Sequence, residues 1–235
     1  HHLLVFRKWR LREYRDTARR ILRFAVPSML SMMLMPISAG VITRLLGRFG
    51  NEPVAAVGAA GRIEMFAFMI PMALGISLTP FVSQNFGAKR LDRIQEALQV
   101  TTRFAMLYGI GVAVVFFCGA PWLAAVFSKD PGVVNVLVAY VRIISFGYGM
   151  MEVHRYCGFF FTGLHHPAFS TALNALRVLV FLVPLTVSGA YFFGVQGVFF
   201  GRLLTDLLAG TIGLFWVHRQ LRAIRASAMR TVEQA

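Results

Sequence analysis

Among the ionisable side chains inside the long apolar runs, eight could do chemistry: Glu64, Glu152, His154 and Asp206, with Arg62, Arg155, Arg177 and Arg202. A charge in hydrocarbon is costly, so such a group faces a bundle interior or a wet cavity and takes a partner. Two chemistries fit this set. One is a buried ion-pair network that fixes helix packing. The other is an ion-coupling relay, in which a buried carboxylate takes up and releases a proton or cation beside a titrating His154. Occupancy would then bias two conformations. The ion-coupling candidates are Glu152 and Asp206 first, then Glu64, then His154, with the arginines as orienting charge partners.

Spacing suggests who meets whom. Glu152 and Arg155 are three apart and share a helix face, as do Arg202 and Asp206 at four apart. Arg155 and Arg177 lie at similar distances on either side of the turn Leu164-His165-His166-Pro167, so both are expected to face Glu152; Asn174 lies one turn before Arg177. Arg62 and Glu64 enter the second run about three turns deep. They read either as an interfacial pair snorkelling outward or as a cavity-lining carboxylate with its neighbour.

The elements that must hold these groups are long and apolar. The chain has 235 residues, of which 57% are hydrophobic, and a net charge of +14; its mean hydropathy is +0.64. Apolar runs cover 24–47, 54–83, 100–127, 133–163, 168–192 and 195–217, each long enough for the ~20 residues that a span requires. Strand-period alternation is absent, which argues against a transmembrane barrel. The fold class is therefore an all-α membrane protein, a six-transmembrane-helix antiparallel bundle whose short turns alternate the direction of successive spans. Residues 1–23 form a basic lead-in or interfacial helix, 24–217 the six-span lobe and 218–235 a basic tail. The chain opens His1-His2 without Met, and the lead-in reads as the continuation of an earlier segment.

Arg and Lys crowd residues 7–23, the loop at Lys89, Arg90 and Arg93, and the tail from Arg219 to Arg230, with few on the opposite side. The positive-inside rule puts both termini in the cytoplasm of a multi-pass plasma-membrane protein. Basic groups beside spans set topology and contact anionic lipid, so membrane lipids rather than nucleic acid are the expected partners. Pro27, Pro36, Pro71 and Pro80 each remove a helical hydrogen bond, and either shape or mobile kinks follow. Gly87 is the expected left-handed helix cap, and Asp92 to Gln99 a short surface helix. Cys118 and Cys157 fall in spans and suggest no disulfide. His165 and His166 are adjacent and point apart, which disfavours a metal site. No catalytic or nucleotide-binding motif is present, so neither an enzyme nor a cofactor is expected.

Several segments recur in a known order. Phe24-Ala-Val-Pro27 opens the first run and Leu46-Gly-Arg-Phe-Gly50 closes it. Val54-Ala-Ala-Val-Gly58, Gly61-Arg-Ile-Glu64, Pro71-Met-Ala-Leu-Gly75 and Ser83-Gln-Asn-Phe-Gly-Ala-Lys-Arg90 follow, then Phe161-Thr-Gly-Leu-His-His-Pro167. Over roughly residues 20–217 this succession resembles the multidrug and toxic compound extrusion (MATE) family of cation-coupled efflux antiporters. The resemblance implies one lobe of a two-lobe, twelve-span transporter, here similar to the C-terminal lobe. It also implies small organic substrates, H⁺ or Na⁺ as coupling ion, and a second six-span lobe supplied by the same full-length chain or by a second copy. Some members carry a carboxylate in the first span of this lobe; here Met35 and Pro36 stand there. Two alternatives remain open: a flippase of related fold for lipid-linked precursors, in which the arginines would line a basic cavity, and a homodimeric half-transporter.

Overall fold

The computed structural model describes residues 11–233. Residues 1–10 of the basic lead-in, the last two of the tail and the Pro27 side chain lie outside the described residues. The elements are α1 (Leu11–Leu46), α2 (Asn51–Ala67), α3 (Met69–Gly87), α4 (Leu91–Phe127), α5 (Pro131–Ile144), α6 (Tyr148–Gly163), α7 (Pro167–Ala175) and α8 (Val183–Glu233). A 3-10 turn, Ser145–Gly147, joins α5 to α6, and a π-helical stretch, Leu176–Leu182, joins α7 to α8. No strand occurs among the described residues.

Four stretches are long and apolar enough to cross a membrane: Met32–Phe49, Leu91–Phe127, Pro131–Gly163 and Pro167–Ser227. Helices α2 and α3 add a fifth, bent by 59°. The last stretch is two spans, because Gly194 interrupts it at φ 62, ψ −140, a conformation open only to glycine. Gly189 then lies against the Gly197 backbone and Gly201 against the Leu185 carbonyl. The two arms therefore return antiparallel, and the bundle has the six crossings that the apolar runs call for.

Local boundaries differ from expectation in three places. Residues 11–23 continue into the first span as one helix, α1, which runs unbroken past Pro27 and Pro36. Asp92–Gln99 is the first part of α4 rather than a separate surface helix, since no breaker separates it from the apolar run. Gly87 stays helical, and the left-handed residue is Lys89 at φ 58. There the Arg90 N–H reaches the Asn85 carbonyl at 2.8 Å, the six-to-one bond of a Schellman turn. An identical turn ends α6: His165 has φ 63 and the His166 N–H reaches the Phe161 carbonyl at 2.9 Å.

Small residues let the helices approach. Gly109 of α4 meets the Gly149 backbone of α6, and Gly210 of α8 meets the Met150 carbonyl. Contacts of Gly147 with Leu203, Met150 with Gly210 and Cys157 with Gly213 advance together along the chain, so α6 and the second arm of α8 run parallel. One core gathers around Tyr140, Ile144, Tyr148 and Phe199, the other around Tyr156, Phe160, Phe161 and Leu164.

Two outcomes are expected in thermal unfolding of the purified protein in detergent. A Cβ at Gly210 would come within 2.4 Å of the Met150 carbonyl, so Gly210→Ala should destabilise by about 1–3 kcal/mol. His165→Gly relieves a left-handed residue and should stabilise by about 0.5–1 kcal/mol.

Candidate functional site

The site begins where the second span breaks. Pro71 has no N–H, so the Ala67 carbonyl one turn back loses its helical partner. The Tyr108 hydroxyl on α4 donates to that carbonyl at 2.7 Å. Beside it the Tyr156 hydroxyl on α6 donates to the Pro71 carbonyl at 3.0 Å. The ring of Phe68, the residue between α2 and α3, takes the edge of Tyr148 at 4.8 Å and the guanidinium of Arg155 at 5.4 Å. Pro121 repeats the pattern: it frees the Phe117 carbonyl, and Arg142 Nε donates there at 3.3 Å while lying over the Phe117 ring.

One turn above the break Glu64 enters the interior. Arg202 Nη2 donates to its two oxygens at 3.1 and 3.0 Å, Tyr140 donates to Oε1 at 2.7 Å and Tyr148 at 3.3 Å. Arg202 also donates to the Tyr140 hydroxyl. Every acceptor site of Glu64 is thus drawn toward α5, α6 and α8, and Arg62 is left exposed on the surface. The two cannot pair inside the bundle, because residues two apart on a helix point in different directions.

Farther along α8, Asp206 is wholly buried. Arg177 donates to its Oδ1 from Nε at 3.1 Å and from Nη2 at 2.6 Å, and Oδ2 has no partner. Arg177 therefore does not face Glu152 as its depth suggested. It lies in the π-helical stretch that leads to Pro184, and that stretch packs along α8. The wider turn sets the azimuth of Arg177, which depth alone does not. Arg202 and Asp206 share a face as expected, yet each pairs with a different helix. His154 is buried and its Nε2–H donates to Asn174 Oδ1 at 3.0 Å.

Glu152 differs from the other acids. It is 1% exposed and pairs with Arg155 Nη1 at 3.1 Å. The contact lies off the N–H axis, so neither Glu152 oxygen accepts a hydrogen bond. It is the least committed carboxylate of the interior. An apolar recess of about 540 Å³ opens nearby, walled by Ile63, Phe66, Ala67, Tyr108, Val112 and Phe116. None of the residues that line it is charged. Among the described residues no three His, Cys, Asp or Glu converge to hold a metal ion.

The sequence-predicted residues thus resolve into three ion pairs, one histidine–asparagine bond and one exposed arginine. The tyrosines and Arg142 were not foreseen. A signal existed at Pro71 and Pro121: a proline in a span frees the carbonyl four residues earlier, which a donor on a neighbouring span can answer.

The MatE family pattern matches residues 27–187, more than half of the chain. The chain belongs to the MatE family. A protein named FAD transporter from Shewanella oneidensis is 29% identical over 91% of this chain and 47% of its own length. A multidrug export protein MepA from Staphylococcus haemolyticus is 23% identical over 84% and 43%. The MATE transporter VcmN of Vibrio cholerae, in its bent form, superposes with a TM-score of 0.85 at 26% identity, covering 88% of this chain and 48% of that one. The family is one of transporters rather than enzymes, and the chain is an all-α, multi-pass membrane protein. It spans about half the length of the curated relatives that it matches.

Removing one member of a buried pair strands the other, at a cost of about 3–5 kcal/mol, whereas replacing both with apolar residues is close to neutral. Arg177→Met is therefore expected to lower the unfolding free energy in detergent by that amount, and Arg177→Met with Asp206→Leu to recover most of it. An undiminished loss in the double variant would show that the pair does more than satisfy its own charges.

Proposed function

We propose that this chain is one lobe of a cation-coupled exporter of small organic compounds that works by alternating access between two lobes. Glu152 is its coupling carboxylate. The observation that carries this reading is a fully buried acid with both oxygens free of hydrogen bonds, next to a broken span. A proton or Na⁺ would neutralise it, while Glu64 and Asp206 are each engaged by an arginine in direct hydrogen bonds. The second lobe comes from the same polypeptide or from a second copy, and the basic ends of α1 and α8 face the cytoplasm. The names of the relatives, multidrug export and FAD transport, support organic cargo without selecting one.

The flippase alternative requires a basic cavity. Arg155, Arg177 and Arg202 are each paired with an acid, and Arg62 is exposed, an arrangement that favours coupling over binding of a pyrophosphate.

The test is dye efflux from proteoliposomes holding the protein with its second lobe, against imposed pH or Na⁺ gradients. Efflux should collapse when the coupling gradient is dissipated, and the gradient that drives it names the ion. Glu152→Gln should lose gradient-driven efflux by about 100-fold or more, in line with loss of a positioned proton-transfer group, while retaining substrate binding. Efflux indifferent to both gradients would refute coupling.

A further inference from the structure

Arg142 is a cation inside a span that no acid partners. Arg155, Arg177 and Arg202 each pair with a carboxylate, whereas none among the described residues reaches Arg142. It is exposed, and it stands deep. Arg142 comes eleven residues after Pro131, and Phe117 ten before Phe127. At about 1.5 Å per residue both lie roughly 15 Å from the helix ends at the 128–130 turn, about half of a hydrocarbon core ~30 Å thick.

A long cationic side chain at that depth would ordinarily snorkel to water. Arg142 is held instead. Its Nε donates to the Phe117 carbonyl at 3.3 Å, and the guanidinium carbon lies 5.3 Å from the Phe117 ring centroid. The tether keeps the fork at the level of Phe117 and leaves Nη1 and Nη2 without a partner among the described residues. The surface around them is apolar and faces outward. Phe146 is exposed and its ring lies 5.8 Å from that of Phe117. Val114 and Ile110, three and seven residues before Phe117, continue the same face of α4 away from the turn, and both are exposed.

A charge on an outward apolar face is tolerated when the bilayer thins and brings polar groups to it. We propose that Arg142 holds the phosphate of a membrane phospholipid, drawn down into the leaflet of the 128–130 turn. The two free Nη groups match a pair of phosphate oxygens, the planar recognition at which arginine excels. With the phosphate there, the acyl chains continue along Val114 and Ile110. One molecule thus satisfies the charge and covers the apolar stripe. A free phosphate would leave water without covering that stripe, so the lipid is the favoured source. The site lies on the outer surface of the bundle and does not depend on the antiport reading.

Native mass spectrometry of the full chain, released from detergent, counts the lipid retained. The probes are phosphatidylglycerol, the matching diacylglycerol that lacks the phosphate, and inorganic phosphate alone. Wild type should retain phosphatidylglycerol and not diacylglycerol, and inorganic phosphate should not displace the lipid. Arg142→Gln can still donate to the Phe117 carbonyl but carries no charge. It should weaken phosphatidylglycerol retention by about tenfold or more, as expected for a lost hydrogen bond to a charged group. Arg142→Lys keeps the charge and should keep most of the retention. Lys129→Gln removes an exposed charge from the adjacent turn and should change nothing. Undiminished retention in Arg142→Gln, an equal loss in Lys129→Gln, or equal retention of diacylglycerol would overturn the proposal. Displacement by inorganic phosphate would make the site one for a free anion and overturn the lipid assignment. Lost self-association with lipid retained in Arg142→Gln would assign the face to a second copy and overturn it too.

Discussion

Within the apolar interior of this bundle a polar group withdrawn from water has only protein to partner it, and most of the structure follows from that constraint. It acts first on the backbone. Pro71 and Pro121 each free a carbonyl, and each carbonyl receives a side-chain donor from the neighbouring span, Tyr108 for Ala67 and Arg142 for Phe117. The chain has six tyrosines against 22 phenylalanines. Four of those tyrosines, 108, 140, 148 and 156, spend their hydroxyls inside the bundle. Where a ring need only fill space the chain uses phenylalanine, and where a hydroxyl must reach an acceptor it uses tyrosine.

The same constraint ranks the acids. Glu64 is engaged by an arginine and two tyrosines, and Asp206 by an arginine through one oxygen. Glu152 has charge compensation without hydrogen bonds. A carboxylate that its surroundings satisfy fully has no reason to bind anything else. One that is compensated yet unsatisfied gains most from a proton or a cation. Distinguishing these states requires the geometry, because all three acids look alike in an apolar run.

The bundle itself was legible in the sequence. Six apolar runs, basic clusters between them and short turns are properties of composition and spacing, which burial in lipid reads directly. The i,i+3 contact of Glu152 with Arg155 was legible too, since both lie on one helix and helix geometry sets their separation. Partnerships across helices were not. Arg177 and Arg155 lie at similar depth, but depth says nothing about azimuth, and the π-helical stretch at Leu176–Leu182 turns Arg177 toward Asp206. Arg202 and Asp206 share a face yet reach opposite ways, because each side chain spans the gap to whichever helix packs there. The left-handed residues Lys89 and His165 were missed for a local reason: the turn geometry counts residues from the last helical carbonyl, and it places a non-glycine residue where glycine composition pointed elsewhere.

The position of the break also makes sense of the uneven burial. Half of the Pro131–Gly163 span is buried inside the bundle, against 17% for Met32–Phe49. The helix α6 is thus a central post, locked to α4 and α8 by glycine contacts that leave no room for sliding, whereas α1 meets the rest over a smaller part of its surface. The bundle leaves no room at this post, where Gly210 and Gly149 already touch neighbouring backbone. The span broken at Phe68 is held to α4 and α6 by single side-chain hydrogen bonds as well. Tyr108 and Tyr156 supply bonds of that kind, each a single hydroxyl on a single carbonyl. Backbone contact along α6 and single hydroxyl bonds at Phe68 are therefore two different ways of holding neighbouring spans in one bundle.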